Sequence, residues 1–274
     1  MAGAAATALA PVREDGCGDD VSPQPVTGSV ACRIKGLRKR FPDGTDVLKG
    51  VDIDIHEGQS VALIGANGTG KSTLLRCCIR LIEPTAGSVN LLGEPVTSLK
   101  PRALRSLRSR IGFVFQKHNL VPRLSALSNV IHGAQARGGG LRTWYQSLAP
   151  AETRAQAMHC LHRVGLADIA DRRADRLSGG QSQRVAIARA LMQQPEFVMA
   201  DEPVASLDPA AGEEVMQLFV DLLKEDGITL LYTSHNLRHA LEYAGRVIAL
   251  KQGNVVVDAA TAGVDAESLG HIYE

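Results

Sequence analysis

The stretch Gly65-Ala-Asn-Gly-Thr-Gly-Lys-Ser72 is the strongest single feature of the sequence, because it satisfies the pattern G-x-x-x-x-G-K-[ST]. The apolar run Val61–Ile64 before it predicts a strand buried on both faces. The residues from Lys71 to about Leu81 predict a helix that ends before Pro84. Since glycines allow successive backbone N–H groups to turn toward one point, we expect an anion-binding loop between the strand and the helix.

This loop carries the side chains that a bound phosphate chain needs. The Lys71 ammonium can reach β- and γ-phosphates, and the Ser72 hydroxyl can ligate Mg²⁺. A chance match to the pattern is expected in roughly one chain in a hundred of this length. The position of the match, after a buried strand and before a helix, favours phosphate binding over chance.

Two carboxylates follow a second apolar run. Phe197–Ala200 predicts a buried strand that leads directly into Asp201 and Glu202. An Asp at this position lies at the carboxyl edge of a parallel sheet, beside the phosphate loop, where it can hold Mg²⁺ through water. Glu202 is then placed to polarise an attacking water as a general base. Two solvated carboxylates at a strand end are the ordinary alternative, and the phosphate loop upstream disfavours it.

A third motif, Leu177-Ser-Gly-Gly-Gln181, precedes a predicted helix. Ser178 can cap that helix, and the two glycines let a phosphate approach its N-terminus. Taken alone, the motif is explained more simply as an ordinary capped helix after a glycine turn.

Strand and helix patterns alternate along most of the chain, which favours an α/β fold with parallel strands at the centre of the sheet. Strands are predicted at Val30–Ile34, Val47–Ile55, Ser60–Ile64, Ile111–Phe115, Phe197–Ala200, Thr229–Tyr232 and Val247–Leu250. Helices are predicted at Gln181–Met192, Pro209–Lys224 and Leu237–Ala244. The interval between Gln116 and Leu177 instead shows two helical patterns, around Ser125–Arg137 and Pro150–Val164, and predicts a helical insertion.

Composition limits the possible classes of function. The 274 residues are 45% hydrophobic and 22% charged, which is typical of a globular protein. The formal net charge of +1 and the aromatic content of 4% argue against a nucleic-acid partner. No apolar run approaches the roughly 20 residues of a membrane span. The five cysteines form no C-x-x-C pair, so we predict buried or incidental thiols rather than a zinc site or a disulfide framework.

The ends of the chain differ from its middle. Residues 1–28 join a small apolar start, with no Lys or Arg before it, to a stretch rich in Asp, Gly, Pro and Ser. We predict a disordered extension there, with a signal peptide as the minor alternative. Residues 29–258 are predicted to form one domain with a helical subdomain inserted at about 117–180, and residues 259–274 a C-terminal tail.

The order of the motifs resembles that of the nucleotide-binding subunit of ATP-binding cassette (ABC) transporters. After the phosphate loop come Gln116 behind an apolar strand, Leu177–Gln181, Asp201-Glu202, Ser206-Leu-Asp208 and His235. The resemblance covers about residues 30–258. It implies a P-loop NTPase (RecA-like) α/β core with an antiparallel β-subdomain and an inserted α-helical subdomain. It also implies an ATP hydrolase, or translocase, with ATP and Mg²⁺ as ligands.

The resemblance assigns roles to individual residues. It implies that Phe41 stacks on adenine, that Gln116 senses Mg²⁺ and reports to a membrane partner, and that His235 contacts the γ-phosphate. The implied catalytic residues are Glu202, His235, Lys71 and Gln116, and the implied metal ligands are Ser72, Gln116 and Asp201. The implied nucleotide contacts are Phe41, Gly65, Ala66, Asn67, Gly68, Thr69, Gly70, Lys71, Ser72, Thr73, Ser178, Gly179, Gly180, Gln181 and Asp208. Taken singly, each of three residues also has a simpler interpretation, which stays open. These are a loop anchor for Phe41, a strand cap for Gln116 and a surface imidazole for His235.

The resemblance also implies an assembly. The Leu177–Gln181 motif of one copy would cover the nucleotide of another, so that a homodimer holds two ATP molecules head to tail, with Ser206 to Asp208 along the seam. Loss of the γ-phosphate would open this dimer and drive transmembrane permease subunits docked on the helical insertion. The implied location is peripheral, on the cytoplasmic face of the inner membrane. A periplasmic substrate-binding protein would act indirectly, and no nucleic acid takes part.

Finer resemblance points to the phosphonate import subgroup. It rests on Leu74–Cys77 with Glu83-Pro-Thr85, on Phe115–Val121, on Arg142–Trp144 and on Ala200–Pro209, and the chain departs from the subgroup at Ser182 and within Tyr232–Asn236. Three interpretations stay open. The first is the motor of an importer for phosphonates or a related oxyanion. The second is a motor for other cargo, such as an amino acid, phosphate, phosphite or a lipoprotein. The third is a soluble cassette ATPase of DNA repair, translation or a phosphonate-degrading complex, for which the short interval before Leu177 leaves no room for a long coiled coil.

Overall fold

The computed structural model describes residues 28–138, 140–264 and 269. The predicted extension, apart from Gly28, lies outside these residues, as does most of the predicted C-terminal tail. The strands are β1 (Val30–Arg40), β2 (Asp46–His56), β3 (Ser60–Ile64), β4 (Ala86–Leu91), β5 (Glu94–Pro95), β6 (Ile111–Val114), β7 (Phe197–Ala200), β8 (Thr229–Ser234), β9 (Arg246–Lys251) and β10 (Asn254–Ala260). The helices are α1 (Lys71–Cys78), α2 (Pro101–Ser109), α3 (Ala126–Ile131), α4 (Ala151–Arg163), α5 (Gly179–Leu191), α6 (Pro209–Glu225) and α7 (Leu237–Tyr243).

A six-stranded sheet with the order β10-β9-β3-β8-β7-β6 forms the centre of the fold. Only β10 runs antiparallel to its neighbour. Ile64 at the end of β3 pairs with Ser234 of β8, and Ala200 of β7 pairs with Tyr232. The carboxyl ends of these strands therefore lie side by side, at the edge where ligands bind in parallel α/β sheets.

A second sheet, with the order β2-β1-β4-β5, is antiparallel. It packs against α1 and one face of the central sheet through fully buried side chains, among them Ile34, Val51, Leu75 and Leu250. Burial of this apolar surface fixes the phosphate-loop helix between the two sheets.

The predicted helical insertion is present. α3, α4 and α5 pack on one another, and Val130, Leu161 and Val185 are fully buried in their shared core. Between β6 and α5, the part of the chain that the structure describes has helices and turns, with one isolated bridge between Ser125 and Arg173. The architecture confirms the predicted fold class of an α/β core with an antiparallel sheet and a helical insertion.

The predicted helix from Lys71 to about Leu81 is too long. α1 ends at Cys78, and Arg80 adopts a left-handed backbone with φ of 54°. The Leu81 N–H returns to the Arg76 carbonyl at 2.8 Å, which closes the helix with a Schellman-type turn before Pro84 acts. A left-handed residue, not the proline, therefore terminates the helix.

Other boundaries and elements also differ from the predictions. β1 continues to Arg40, six residues past its predicted end, across irregular pairings with β2. Three strands and one helix had no prediction, namely β4, β5, β10 and α2. β10 extends to Ala260 and so enters the stretch expected to be a tail.

The cysteines of the described chain are free thiols. Cys32, Cys77 and Cys78 are buried, and burial raises the pKa of the Cys77 thiol to about 11. Cys17 lies outside the described residues. Among the helices that the structure describes, none has the length and apolar character needed to cross a membrane.

Candidate active site

The phosphate loop joins the end of β3 to the start of α1 in a conformation that requires glycine at two points. Gly65 has φ of 144°, and a Cβ there would lie 2.3 Å from the Leu250 carbonyl oxygen. Gly70 has φ of 105°, and a Cβ there would lie 2.9 Å from the Val47 carbonyl oxygen. The loop is therefore pressed against β9 and β2, which leaves no room for larger residues at these positions.

Lys71 turns back over this loop. Its Nζ donates hydrogen bonds to the carbonyl oxygens of Gly65 at 2.7 Å and Ala66 at 3.0 Å, and the residue is only 5% exposed. An ammonium has three N–H donors, so one stays available for a ligand. Burial lowers the pKa of Lys71, while the negative charges of Glu202 and Asp201 act in the opposite direction.

Asp201, which is buried and directly follows β7, accepts hydrogen bonds from three side chains. Its Oδ1 accepts from the Ser72 hydroxyl at 2.7 Å and from the Thr233 hydroxyl at 3.1 Å. Its Oδ2 accepts from the Arg76 guanidinium at 3.2 Å. This network ties the first turn of α1 to the ends of β7 and β8.

Glu202 leaves the strand with an unusual backbone. Its φ is 49°, in the left-handed region that non-glycine residues seldom occupy. Its Oε2 accepts from Gln116 Nε2 at 3.2 Å and lies 3.7 Å from Nδ1 of His235. The turn therefore brings together side chains that follow β6, β7 and β8.

An open cavity of about 570 Å³ lies over the phosphate loop. It is lined by Val47, Asn67, Gly68, Gly70, Lys71, Ser72, Thr73, Gln116, Glu202, Ala205 and His235. All four residues that the resemblance names as catalytic are in this set. The cavity is thus lined by a lysine, a hydroxyl, a carboxylate, an amide and an imidazole at the carboxyl edge of the sheet.

Other predicted nucleotide contacts lie elsewhere. Phe41 is half-buried in the turn after β1, with the Lys39 ammonium 5.0 Å from its ring centre, and it does not line the cavity. Ser178 caps α5 by accepting from the Gln181 N–H at 3.2 Å, and Gln181 Oε1 accepts from the Ser178 N–H in return. Asp208 caps α6. Within one chain, these positions do not share the cavity of Lys71.

Arg76 and Thr233 contact Asp201 but were not predicted from the sequence. Arg76 lies one helical turn after Ser72, a spacing that places both side chains on one face of α1. Thr233 lies near the end of β8, two residues before His235, a spacing that places both side chains on one side of an extended chain. These spacings offered a weak signal, which becomes informative only when the strand order is known.

The fold and this site define a P-loop ATPase of the cassette type. A family model described as "ABC transporter" matches residues 48–205. The chain belongs to the ABC transporter family, and it is an ATP-hydrolysing cassette of that family.

Curated relatives match over nearly the whole chain. The chain is 44% identical over 241 residues to "Phosphonates import ATP-binding protein PhnC 2" of Synechococcus sp. (strain JA-2-3B'a(2-13)), covering 88% of this chain and 89% of the relative. It is 44% identical over 249 residues to "Phosphonates import ATP-binding protein PhnC" of Bordetella parapertussis, covering 89% of this chain and 97% of the relative.

Solved structures show the same fold. The ATP-binding cassette MJ0796, in a dimeric post-hydrolysis state bound to ADP and Pi, is 36% identical and has a TM-score of 0.74. The match covers 85% of this chain and 100% of that chain. CbiO1 from Clostridium perfringens, part of the transporter complex cbiONQ, is 31% identical with a TM-score of 0.77 over 87% of this chain and 92% of that chain.

Proposed function

We propose that this ABC ATPase is the motor of an importer for phosphonates. One observation carries the hydrolytic part of the proposal: Lys71, Ser72 and Glu202 line a single cavity, and the Ser72 hydroxyl bonds the buried Asp201 carboxylate. The PhnC relatives, which cover 88% and 89% of this chain and are named for phosphonate import, support phosphonates as the cargo.

In this proposal, the phosphate loop binds the phosphates of ATP. Its backbone N–H groups and the N-terminus of α1 attract anions, and the remaining N–H of the Lys71 ammonium reaches the β- and γ-phosphates. The Ser72 hydroxyl and the Asp201 carboxylate, 2.7 Å apart, are oxygen donors of the kind that Mg²⁺ prefers. Together with Gln116, which lines the same cavity as Ser72, they would hold that ion, and it would neutralise charge on the phosphate oxygens.

Glu202 acts as the general base. Its carboxylate accepts a proton from the water that attacks the γ-phosphate, while Gln116 and His235, which flank it, orient that water and the phosphate. Because Glu202 lines the same open cavity as Lys71, the general base and the bound phosphate would face each other within it.

Two copies of the chain complete each site. The N-terminus of α5 at Ser178–Gln181 is exposed and suited to a phosphate, yet it does not line the cavity of its own Lys71. A head-to-tail homodimer lets this motif cover the nucleotide of the other copy, with Ser206 to Asp208 at the seam. Phe41, next to β2, would stack on the adenine.

The helical insertion docks the permease. Among the described residues, it exposes several large apolar side chains, with Trp144 at 55%, Tyr145 at 66% and Leu148 at 60% exposure. Such patches mark interaction surfaces. The motor is then a peripheral subunit on the cytoplasmic face of the membrane, and a periplasmic binding protein acts on it through the permease.

Deletion of the gene followed by growth on one phosphorus source at a time tests the cargo. Loss of growth on a phosphonate, with normal growth on phosphate and phosphite, is the expected result. Equal growth on all three sources would contradict phosphonate import, and loss on phosphite instead would assign a different oxyanion. Copurification with membrane permease subunits, rather than with a purely soluble complex, separates the importer from a soluble cassette ATPase.

A further inference from the structure

We propose that Thr233 is a positioning residue that holds Asp201 and Glu202 in the arrangement needed for hydrolysis. The proposal rests on the roles proposed above for these two carboxylates. Thr233 is fully buried near the end of β8. Its hydroxyl donates to Asp201 Oδ1 at 3.1 Å and accepts from the Glu202 N–H at 2.8 Å.

The position of β8 in the sheet explains why the Thr233 hydroxyl can form hydrogen bonds with both Asp201 and Glu202. β8 lies between β3, which leads into the phosphate loop, and β7, which leads into the two carboxylates. Ser72 and Asp201 thus approach each other across the strand that carries Thr233. A threonine hydroxyl has one donor hydrogen and two acceptor lone pairs, so it can bond both neighbours at once.

The bond to the Glu202 N–H supports a strained backbone. The left-handed φ of 49° at Glu202 is disfavoured for a residue with a Cβ and persists only where the surroundings impose it. This turn directs the Glu202 side chain to the cavity of Lys71 and toward Gln116 and His235. Without an acceptor for its N–H, the Glu202 peptide would lose a bond that keeps the turn in place.

The bond to Asp201 has a second effect. Asp201 Oδ1 accepts from both Ser72 and Thr233, so Thr233 orients the carboxylate proposed to hold Mg²⁺. Losing an outer partner of a metal ligand commonly costs about 10- to 100-fold in metal affinity or activity. Thr233 therefore links the metal-binding carboxylate to the general base through one atom.

Two substitutions and a matched control test this role. Thr233→Val keeps the shape and removes the hydroxyl, whereas Thr233→Ser keeps the hydroxyl. Thr229→Val is the control, because Thr229 is buried on the same strand and its hydroxyl accepts from the Gly58 N–H at 3.0 Å, at the other end of β8. We expect Thr233→Val to lower kcat for ATP hydrolysis by about 10- to 100-fold with a much smaller change in KM. Thr233→Ser should restore most of kcat, and Thr229→Val should keep it.

Amide hydrogen exchange at Glu202, in the full-length protein without nucleotide or metal, gives a readout that does not depend on catalysis. We expect Thr233→Val to speed this exchange, and Thr229→Val and Thr233→Ser to leave it near the wild-type rate. If Thr233→Val does not fold, Thr233→Cys takes its place, since a thiol is a similar size and a much weaker hydrogen-bonding group.

Two results would overturn the proposal. Wild-type exchange at Glu202 together with wild-type kcat in Thr233→Val would show that the hydroxyl positions nothing. Equal losses of kcat in Thr233→Val and Thr229→Val would show a general effect of removing a buried hydroxyl. Normal hydrolysis by Glu202→Gln would instead refute the base role of Glu202, and this failure is distinct because the exchange measurement still tests the Thr233 bond.

Discussion

The hydroxyl of Ser72 donates to Asp201 Oδ1 at 2.7 Å, although the two residues are 129 positions apart in the chain. Ser72 lies in the first turn of α1, and Asp201 directly follows β7. Their contact joins the helix after the phosphate loop to the acidic strand end, at one edge of the sheet.

Lys71→Ala should lose ATP binding or hydrolysis, because the phosphate loop contains no other ammonium. Nucleotide binding by calorimetry and phosphate release together measure this. Lys224→Ala, an exposed lysine near the end of α6, is the matched control and should behave as the wild type. Unchanged hydrolysis by Lys71→Ala would contradict the role of the phosphate loop.

Glu202→Gln should bind ATP and nearly abolish its turnover. The amide keeps the size of the side chain but cannot take a proton from the attacking water. ATP then persists at the interface of two copies, so gel filtration with ATP should show a dimer that the wild type forms only transiently. Rapid phosphate release by this variant would refute Glu202 as the general base. A monomer with bound ATP would refute the proposed dimer.

Gly65→Ala and Gly68→Ala separate steric contact from backbone strain. Both glycines have a positive φ, but a Cβ at position 65 meets the Leu250 carbonyl oxygen at 2.3 Å and one at position 68 meets nothing within 4 Å. Gly68→Ala should cost about 1–2 kcal/mol of folding stability from the left-handed backbone alone. Gly65→Ala should cost clearly more and also weaken ATP binding. Denaturant unfolding and ATP titration measure both, and equal effects would contradict the close approach to β9.

Trp144→Ser should weaken copurification of the permease while leaving the basal ATPase rate of the isolated chain unchanged. Trp144 is more than half exposed, so its contribution to folding is small compared with its contribution to an interface. Val256→Ser, which removes an exposed apolar side chain from β10 at the other side of the central sheet, is the control. Equal permease recovery for Trp144→Ser and the wild type would exclude this patch from the docking surface.

Glu196→Gln should reduce stability in a pH-dependent way. The Arg110 guanidinium hydrogen-bonds both carboxylate oxygens, at 2.6 and 2.7 Å, and lowers the pKa of Glu196 below 4.5. The ion pair therefore stabilises the fold fully above the pKa that Glu196 has in the unfolded chain. This stabilisation is lost as the pH falls through the lower pKa that Glu196 has in the folded protein. Because the Glu196 side chain is 54% exposed, the free energy of unfolding at pH 7 should differ between the variant and the wild type by no more than about 0.2–1 kcal/mol. Melting temperatures of both proteins should converge in acid, and a constant gap would contradict the ion pair.

Two of the strands that the sequence predicted are buried almost throughout. β3 and β7 are short runs of apolar residues, and both lie inside the central sheet. β4 and β10 were missed because apolar and polar residues do not alternate regularly in their sequences, and half or more of their residues are exposed. α2 was missed although Pro101 begins it and Leu104 and Leu107 face the core, because its other positions are mostly polar and exposed.

The residues of the site also divide into those that the sequence pattern identified and those that it missed. Residues of the phosphate loop, the Ser178 cap and the acidic pair could be identified because short-range spacing determines their chemistry. The partners Arg76 and Thr233 could not, since their contact with Asp201 depends on which strand lies between which neighbours.

The sequence by itself determined a glycine-rich phosphate loop between a strand and a helix, a carboxylate pair after a second strand, and their order along the chain. Local backbone preferences and side-chain chemistry are enough for these features. Only the tertiary structure decided that β8 lies between β3 and β7, that Ser72 therefore reaches Asp201, and that one threonine hydroxyl bonds both carboxylate residues. Strand order follows from long-range packing of whole faces, which no local spacing encodes.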